Sequence, residues 1–396
     1  MTSAAPAPLG VYVHFPWCLQ KCPYCDFYSL ATERDAIPHA AYADAVIREL
    51  ERRSALLTGY RLRSVFFGGG TPSLWETREL GRVLARIRSL FGAEDDIEVT
   101  VECNPSSFDA KKADELADAG VRRVSLGVQG LDAGRLAFLG RLHDGPGALI
   151  ALKTALASPI PRVSCDLIFG VAGQTPEEAE REARTLAELG PTHLSAYALT
   201  IEPGTEFGAR ARRGRLPLLD DELVAQSFER VASALEESGF EHYEISNYAR
   251  SGHYAEHNLG VWRGESYLGL GAGAFGTVRL AERVLRYRNA RAADRYVEAA
   301  KDERASLFEP SALVSDVEPI DPKTALAERL MLGLRLVTGV HLGELARETG
   351  ESAWTADREQ AVERLVRAGR LERDGDRLRI PRDSWLVADG VIRELV

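Results

Sequence analysis

Short β-branched and aromatic runs alternate with longer stretches of helical period from Val11 to Leu199. Val11 to Phe15, Ser64 to Phe67 and Ile97 to Glu102 read as strands, and Val121 to Leu126, Arg162 to Ile168 and His193 to Leu199 continue the series. Ala40 to Leu57, Trp75 to Leu90 and Asp109 to Ala119 read as the helices between them. Six strand–helix units in this rhythm predict an α/β fold, a parallel sheet with helices outside, closed part-way into a (β/α)6 barrel. Nearly every strand ends in glycine or polar chemistry: a cysteine segment, Gly68 to Thr71, Glu102 to Pro105, Gln129 and Asp166. Functional groups collect at the carboxyl ends of barrel strands, which favours the barrel over an open doubly wound sheet. Polar, glycine-rich loops alone would give a weaker version of the same pattern.

Beyond a further helix from Asp220 to Glu237, the period is lost in a glycine- and aromatic-rich stretch from Tyr243 to Phe275. Ser306 to Ile320 reads as a linker. Leu326 to Leu336, His341 to Thr349 and Ser352 to Ala368 read as helices, followed by a hairpin from Gly369 to Leu378 with Asp374-Gly375 at its turn. Three helices and a hairpin are winged-helix-like. The expected division is therefore a barrel core over 1–240, a glycine- and aromatic-rich extension and linker over 241–318, and a helical, winged-helix-like C-terminal domain over 319–396.

Of the 396 residues 45% are hydrophobic, enough for a large core. The formal net charge is −10 and the one basic cluster, Arg210 to Arg215, is short. Acids and bases roughly balance across the C-terminal segment, so no nucleic-acid partner is expected despite the winged-helix pattern. No apolar run reaches the roughly 18 residues of a membrane span, so no integral membrane segment is expected, and at most a peripheral association. The start, MTSAAPAPLG, lacks the basic and apolar parts of a secretion signal. A cytoplasmic protein is expected. The five cysteines are odd in number and three of them crowd into one octapeptide, a pattern of metal ligation in a reducing compartment rather than of disulfides.

That octapeptide places Cys18, Cys22 and Cys25 in a C-x3-C-x2-C spacing. Three thiolates can hold three irons of a [4Fe-4S] cubane, whereas ferredoxin-type clusters use four cysteines. The other two, Cys103 and Cys165, are distant and read as small buried hydrophobes. An iron left without a protein ligand is open to chelation by the amino and carboxylate groups of S-adenosylmethionine (SAM). Electron transfer to the sulfonium would then release a 5′-deoxyadenosyl radical, the protein supplying orientation and shielding. The competing reading is a structural zinc site of these cysteines with His14. It is disfavoured because all four ligands share one short segment and His14 lies within a predicted strand.

The cysteine spacing resembles the radical SAM superfamily. Tyr12-Val13-His14-Phe15-Pro16-Trp17-Cys18 and Gly68-Gly69-Gly70-Thr71-Pro72 resemble, more narrowly, the oxygen-independent coproporphyrinogen III oxidase family and its heme chaperone branch, along most of the chain. The resemblance implies a radical SAM barrel in which Tyr12, Gly69, Gly70, Thr71 and Glu102 surround the cluster-bound SAM. Gly69 and Gly70 would let backbone groups approach the ligand, or simply form a turn. Gln129, Arg141 and Asp166 match positions associated with a second SAM in the oxidases. Arg141 could offer a carboxylate a bidentate fork, or form a buried ion pair with Asp166.

Two departures point from the oxidases to the chaperone branch. The oxidases carry a fourth cysteine in C-x3-C-x2-C-x-C where this chain has Phe27, and a long arm before the cluster where this chain has seventeen residues. His257-Asn258-Leu259-Gly260-Val261-Trp262 resembles the chaperones' His-Asn-x-x-Tyr-Trp, with Val261 in place of tyrosine. The resemblance thus implies binding of heme and its transfer to an acceptor hemoprotein, with an electron donor serving the cluster. It makes His257 the candidate heme ligand. His257 and Trp262 could instead pack at the barrel's edge, and His14 or His143 could serve as ligand.

Overall fold

The computed structural model describes residues 6–92, 96–280 and 283–396; the first five residues of the MTSAAPAPLG start lie outside them. Six parallel strands form in the expected order: β1 (Ala7–Phe15), β2 (Tyr60–Gly69), β3 (Glu98–Cys103), β4 (Arg123–Gln129), β5 (Arg162–Phe169) and β6 (His193–Ala198). Helices α1 (His39–Ser54), α2 (Thr77–Phe91), α3 (Ala110–Asp118), α4 (Gly145–Ala157) and α5 (Pro176–Glu188) connect them, and α6 (Asp221–Glu237) follows. Side-chain caps set several starts: Asp109, Asp144 and Asp220 accept from their helices' first turns, and Thr175 forms a capping box with Glu178.

The strands alternate between two faces. On β1, Leu9, Val11, Val13 and Phe15 are wholly buried in the core cluster beneath the helices. So are Val99 and Val101 of β3 and Leu167 of β5, with Cys103 and Cys165, which therefore lie in the hydrophobic core as expected. The opposite face is polar. Thr100, Glu102, Arg123, Ser125, Ser164, Asp166, His193 and Ser195 surround a cavity of about 220 Å³ inside the partial barrel.

The stretch 241–318 departs from the expected extension and linker. Its strand β9 (Ser266–Leu270) pairs in parallel with the outer side of β1, as a seventh parallel strand. Antiparallel strands β10 (Phe275–Leu280), β11 (Arg283–Asn289) and β12 (Val314–Ile320) continue that edge. At the other edge, β8 (Asn247–Ala249) pairs antiparallel with β6, and β7 (Glu241–Glu244) pairs antiparallel with β8 as the last strand. The twelve strands run in the order β12-β11-β10-β9-β1-β2-β3-β4-β5-β6-β8-β7. Val314 to Ile320 read as a linker because its scattered Pro, Ser and Asp hide a strand that lies at the sheet edge, where Pro319 is tolerated.

Helix α7 (Glu256–Trp262) closes the amino-terminal end of the barrel. Glu98 ties it there, accepting the His257 amide at 3.0 Å and pairing with Arg123 at 2.9 Å, both side chains buried. Arg123 also donates to the carbonyls of His253 and Tyr254. Arg123→Ala would leave Glu98 buried with only the half-exposed Arg162 beside it. We expect a loss of about 3–5 kcal/mol of stability, measurable by denaturant unfolding.

The C-terminal segment holds α8 (Pro322–Gly333), α9 (Leu342–Thr349), α10 (Ala356–Arg367) and α11 (Ala388–Leu395) around its own core, with a small sheet of Val340–His341, Glu372–Asp374 and Arg377–Arg379. The hairpin turns on Gly375-Asp376, one residue later than expected, with Asp374 still paired to Arg377. Gly375 has a φ of 58°, so the glycine takes the left-handed position of the turn.

Candidate cluster and cofactor site

The cysteine loop leaves the carboxyl end of β1 and is tied back at its base by a two-residue ladder between Trp17–Cys18 and Leu30–Ala31. Cys18 is buried, while Cys22 and Cys25 are half-buried. All three line one wall of a cavity of about 660 Å³ at the carboxyl ends of the strands. Burial raises the Cys18 thiol and pushes Cys25 up to about 11, so ligation of iron must displace protons.

The arrangement fits a cubane better than one metal ion. Among the described residues no three His, Cys, Asp or Glu side chains converge on a single ion position, whereas a cubane takes one thiolate on each of three separate irons. His14 cannot complete a zinc set as placed. Its Nδ1 meets the Tyr12 hydroxyl and its Nε2 the Tyr28 carbonyl, each at 2.8 Å.

Gly69 and Gly70 line the same cavity, but their sequence has a reason other than ligand approach. A Cβ on Gly70 would meet the Trp17 and Phe15 carbonyls at 2.7 and 2.8 Å, and one on Gly69, at φ 108°, would meet the His14 ring at 2.5 Å. The missing side chains let the end of β2 dock on the cysteine loop, where the Gly70 and Thr71 amides donate to the Phe15 and Trp17 carbonyls. The Gly69 amide donates to Glu102 at 3.1 Å.

Glu102 and Asp166 face the cavity from β3 and β5. Desolvation, reinforced by Asp166, pushes the Glu102 carboxyl up to about 8. Desolvation also lifts Asp166, to about 6, against the hydroxyls of Ser195 and Ser125 that favour its charge. A cation beside the two carboxyls would favour the charged form of both. Gln129 has a φ of 66°, the one positive value outside glycine among the described residues, and its Oε1 is buried without a hydrogen-bond partner. Such strain is worth roughly 1–3 kcal/mol and concentrates at ligand sites.

Arg141 lines the cavity too, but its two terminal nitrogens are engaged. Nη1 donates to Cys22 Sγ at 3.4 Å, and Nη2 to the Asn104 side chain and the Gly127 carbonyl. The expected bidentate fork is therefore not open, and no ion pair with Asp166 forms among the described residues.

Ten of the twelve expected site residues thus line one cavity: the three cysteines, Gly69, Gly70, Thr71, Glu102, Gln129, Arg141 and Asp166. Tyr12 sits one layer below, its hydroxyl on His14. His257 does not reach the cavity. Its ring is buried at the amino-terminal end of the barrel, with Nδ1 on the Ser64 hydroxyl at 3.0 Å and its face stacked on Phe66. With Nδ1 engaged and the ring buried beside β1 and β2, His257 lies away from the cavity that holds the cysteines. His143 is also engaged, its Nε2 on the Val128 carbonyl at 2.9 Å.

Two contributions went unassigned in the sequence. Asn104, in the strand-end segment Glu102 to Pro105, contacts both Thr71 and Arg141. Trp385, Leu386 and Asp389 of the C-terminal segment roof the far end of the cavity. Nothing local marks them, because they reach the site only through long-range packing.

Residues 12–186 match the Radical SAM superfamily and residues 320–387 the HemN C-terminal domain. The heme chaperone HemW of Escherichia coli K12 is 38% identical over 306 residues, covering 76% of this chain and 79% of that protein. HemW of Mycobacterium tuberculosis H37Rv is 34% identical over 390 residues, covering 98% of this chain and 95% of the relative. The chain belongs to the HemW family. Its fold is that of the radical SAM enzyme coproporphyrinogen III oxidase (HemN) from E. coli, with a TM-score of 0.81 at 19% identity over 100% of this chain and 91% of that one. As a radical SAM member of the HemW family, the chain takes a [4Fe-4S] cluster and SAM as cofactors. Among the described residues no helix is long and apolar enough to cross a membrane.

Proposed function

We propose that this chain is a heme chaperone that binds heme beside a [4Fe-4S]–SAM centre and passes it to an acceptor hemoprotein. The observation that carries the reading is a cavity of about 660 Å³ lined by the three cysteines on one side and, towards the C-terminal segment, by Ile168, Leu199, Phe228, Trp385 and Leu386 beside the Arg335–Asp389 ion pair. Ligand pockets typically span roughly 300–1,000 Å³. In this reading Cys18, Cys22 and Cys25 hold the cluster. Glu102 accepts from the amino group of SAM, with Gly69, Gly70 and Thr71 beside it and Gln129 and Asp166 facing the rest of the ligand. When reduced, the cluster supplies an electron for cleavage of SAM. Heme takes the apolar end, between Ile168, Leu199 and Phe228 on the barrel side and Trp385 and Leu386 on the roof. Its axial ligand is then not His257.

The three stretches divide the work: 1–240 carries the cluster and SAM groups, 241–318 closes the barrel base and extends the sheet, and 319–396 roofs the heme end. Three cysteines crowded into one octapeptide suit metal ligation in a reducing compartment, and we place the protein in the cytoplasm. An electron donor must reach the cluster, whose loop carries Phe27 exposed at the cavity's edge.

An oxidase would share most of this site, and Phe27 in place of the fourth cysteine favours the chaperone. Reconstituted protein given coproporphyrinogen III, SAM and reductant is expected to form no protoporphyrinogen. Repeated turnover would establish the oxidase instead.

SAM binding is expected to depend on pH through Glu102. With its carboxyl near 8, the ligand-free protein holds Glu102 protonated at neutral pH. An amino group donating to it favours the carboxylate, so the ionisation of Glu102 on binding at pH 7 releases a proton. Affinity should rise between pH 6 and 8, by up to about tenfold per unit. Glu102→Gln should weaken binding and flatten this slope. Calorimetry in buffers of different ionisation enthalpy reads the proton directly, and a wild-type slope in the variant would remove Glu102 from this role.

A further inference from the structure

We propose that Asn104 is a positioning residue that joins two of the three cluster sulfurs through one chain of hydrogen bonds and thereby sets the cluster's reduction potential. The inference rests on the cluster reading above and goes beyond it, to groups that touch no iron. The chain begins at Cys22, whose Sγ accepts from Arg141 Nη1 at 3.4 Å. Arg141 Nη2 donates to Asn104 Oδ1. Asn104 Nδ2 donates to Thr71 Oγ1 at 3.0 Å, and Thr71 Oγ1 donates to Cys18 Sγ at 3.4 Å. Thr71, Asn104 and Arg141 follow β2, β3 and β4 in turn, so the chain runs across three consecutive strand ends beneath the cysteine loop.

Direction is what makes the chain informative. Arg141 has only donors, so the group facing it must accept. The Thr71 hydroxyl has one proton, and it can point that proton at Cys18 only if its other partner is a donor. A carboxamide at 104 alone meets both demands, with oxygen toward Arg141 and nitrogen toward Thr71. The Ser73 hydroxyl receives the Asn104 amide at 3.4 Å and holds the backbone in place. Hydrogen bonds donated to cluster sulfurs stabilise the more negative, reduced cluster and raise its potential. Cys25 lies outside the chain and receives the Phe27 backbone amide.

Asn104→Asp keeps the shape but replaces the donor by an acceptor. The Thr71 proton must then turn from Cys18 to the carboxylate, and of its two hydroxyl partners the sulfur keeps Ser29 alone. Thr71→Val removes the same proton directly. The experiment is a redox titration of the anaerobically reconstituted protein, followed by electron paramagnetic resonance without SAM or heme. Each single variant is expected to shift the midpoint to more negative potential, Thr71→Val by about a tenfold change in the reduced-to-oxidised ratio, ~59 mV for a one-electron couple. Thr71→Ser should restore the wild-type value. Thr71→Val should add no further shift once Asn104→Asp is present, because the proton has already turned away. An unshifted midpoint in Thr71→Val, or full additivity in the double variant, overturns the proposal. If Asn104→Asp assembles no cluster, Thr71→Val against Thr71→Ser decides alone. A wild-type protein that assembles no cluster would instead overturn the cluster reading itself.

Discussion

Alanine at any one of Cys18, Cys22 or Cys25 is expected to reduce the iron of the reconstituted protein from roughly four per chain to near zero, because two thiolates leave half of a cubane without protein ligands. The variants should keep the fold. The loop is held at its base by the Trp17–Cys18 and Leu30–Ala31 ladder and by Gly70 and Thr71, contacts made by backbone rather than sulfur. They should also lose the SAM-induced change in the paramagnetic spectrum, since SAM would have no iron to chelate. Cys103→Ala and Cys165→Ala provide the contrast. Both thiols lie in the core cluster, where burial raises their pKa values strongly. Those variants should retain full iron at some loss of stability. Full iron in a variant of the cysteine loop, or its loss in the core variants with the fold intact, would move the cluster elsewhere.

The parts of this site that were legible in the sequence are those that sit at strand ends. A strand followed by cysteines, by Gly68-Gly69-Gly70-Thr71 or by Glu102 announces itself locally, and parallel pairing then brings all such ends to one side. His257 shows the limit of that reasoning. It lies in a recognisable motif, but its place depends on α7 folding back under the barrel, held by Glu98 and Arg123 from distant strands. The β12 strand was missed for a related reason. An edge strand with one polar face carries little hydrophobic period, and its pairing with β11 decides it. The glycines of the second strand end were found, but the contacts that require them belong to the cysteine loop. The roof over the cavity could not be anticipated at all, because Trp385 and Leu386 follow the barrel by more than a whole domain.

The second large effect concerns that roof. Leu386 lines the apolar end of the cavity and is 47% exposed, so a charge there need not disturb the C-terminal core. Leu386→Asp is expected to weaken heme binding by roughly 1.5–3 kcal/mol, the contribution of a buried leucine side chain, or about ten- to a hundredfold. Cluster content and the SAM-dependent spectrum should be unchanged, since both belong to the opposite end. His257→Ala should leave the position of the heme absorption band unaltered, while lowering stability through the lost packing on Phe66 and the lost bond to Ser64. A band that shifts in His257→Ala but not in Leu386→Asp would place heme at the barrel base and reverse the assignment of the two ends.

In the proposed function one cavity serves a cluster, SAM and heme. This is tested most directly by titrating heme into the anaerobically reconstituted wild-type chain, with SAM present, and following the Soret band. Saturation near one heme per chain, with the cluster intact, followed by depletion of the band when an apo-hemoprotein is added, is the predicted result. A chain that holds its cluster and SAM but shows no saturable Soret band would contradict the proposed function.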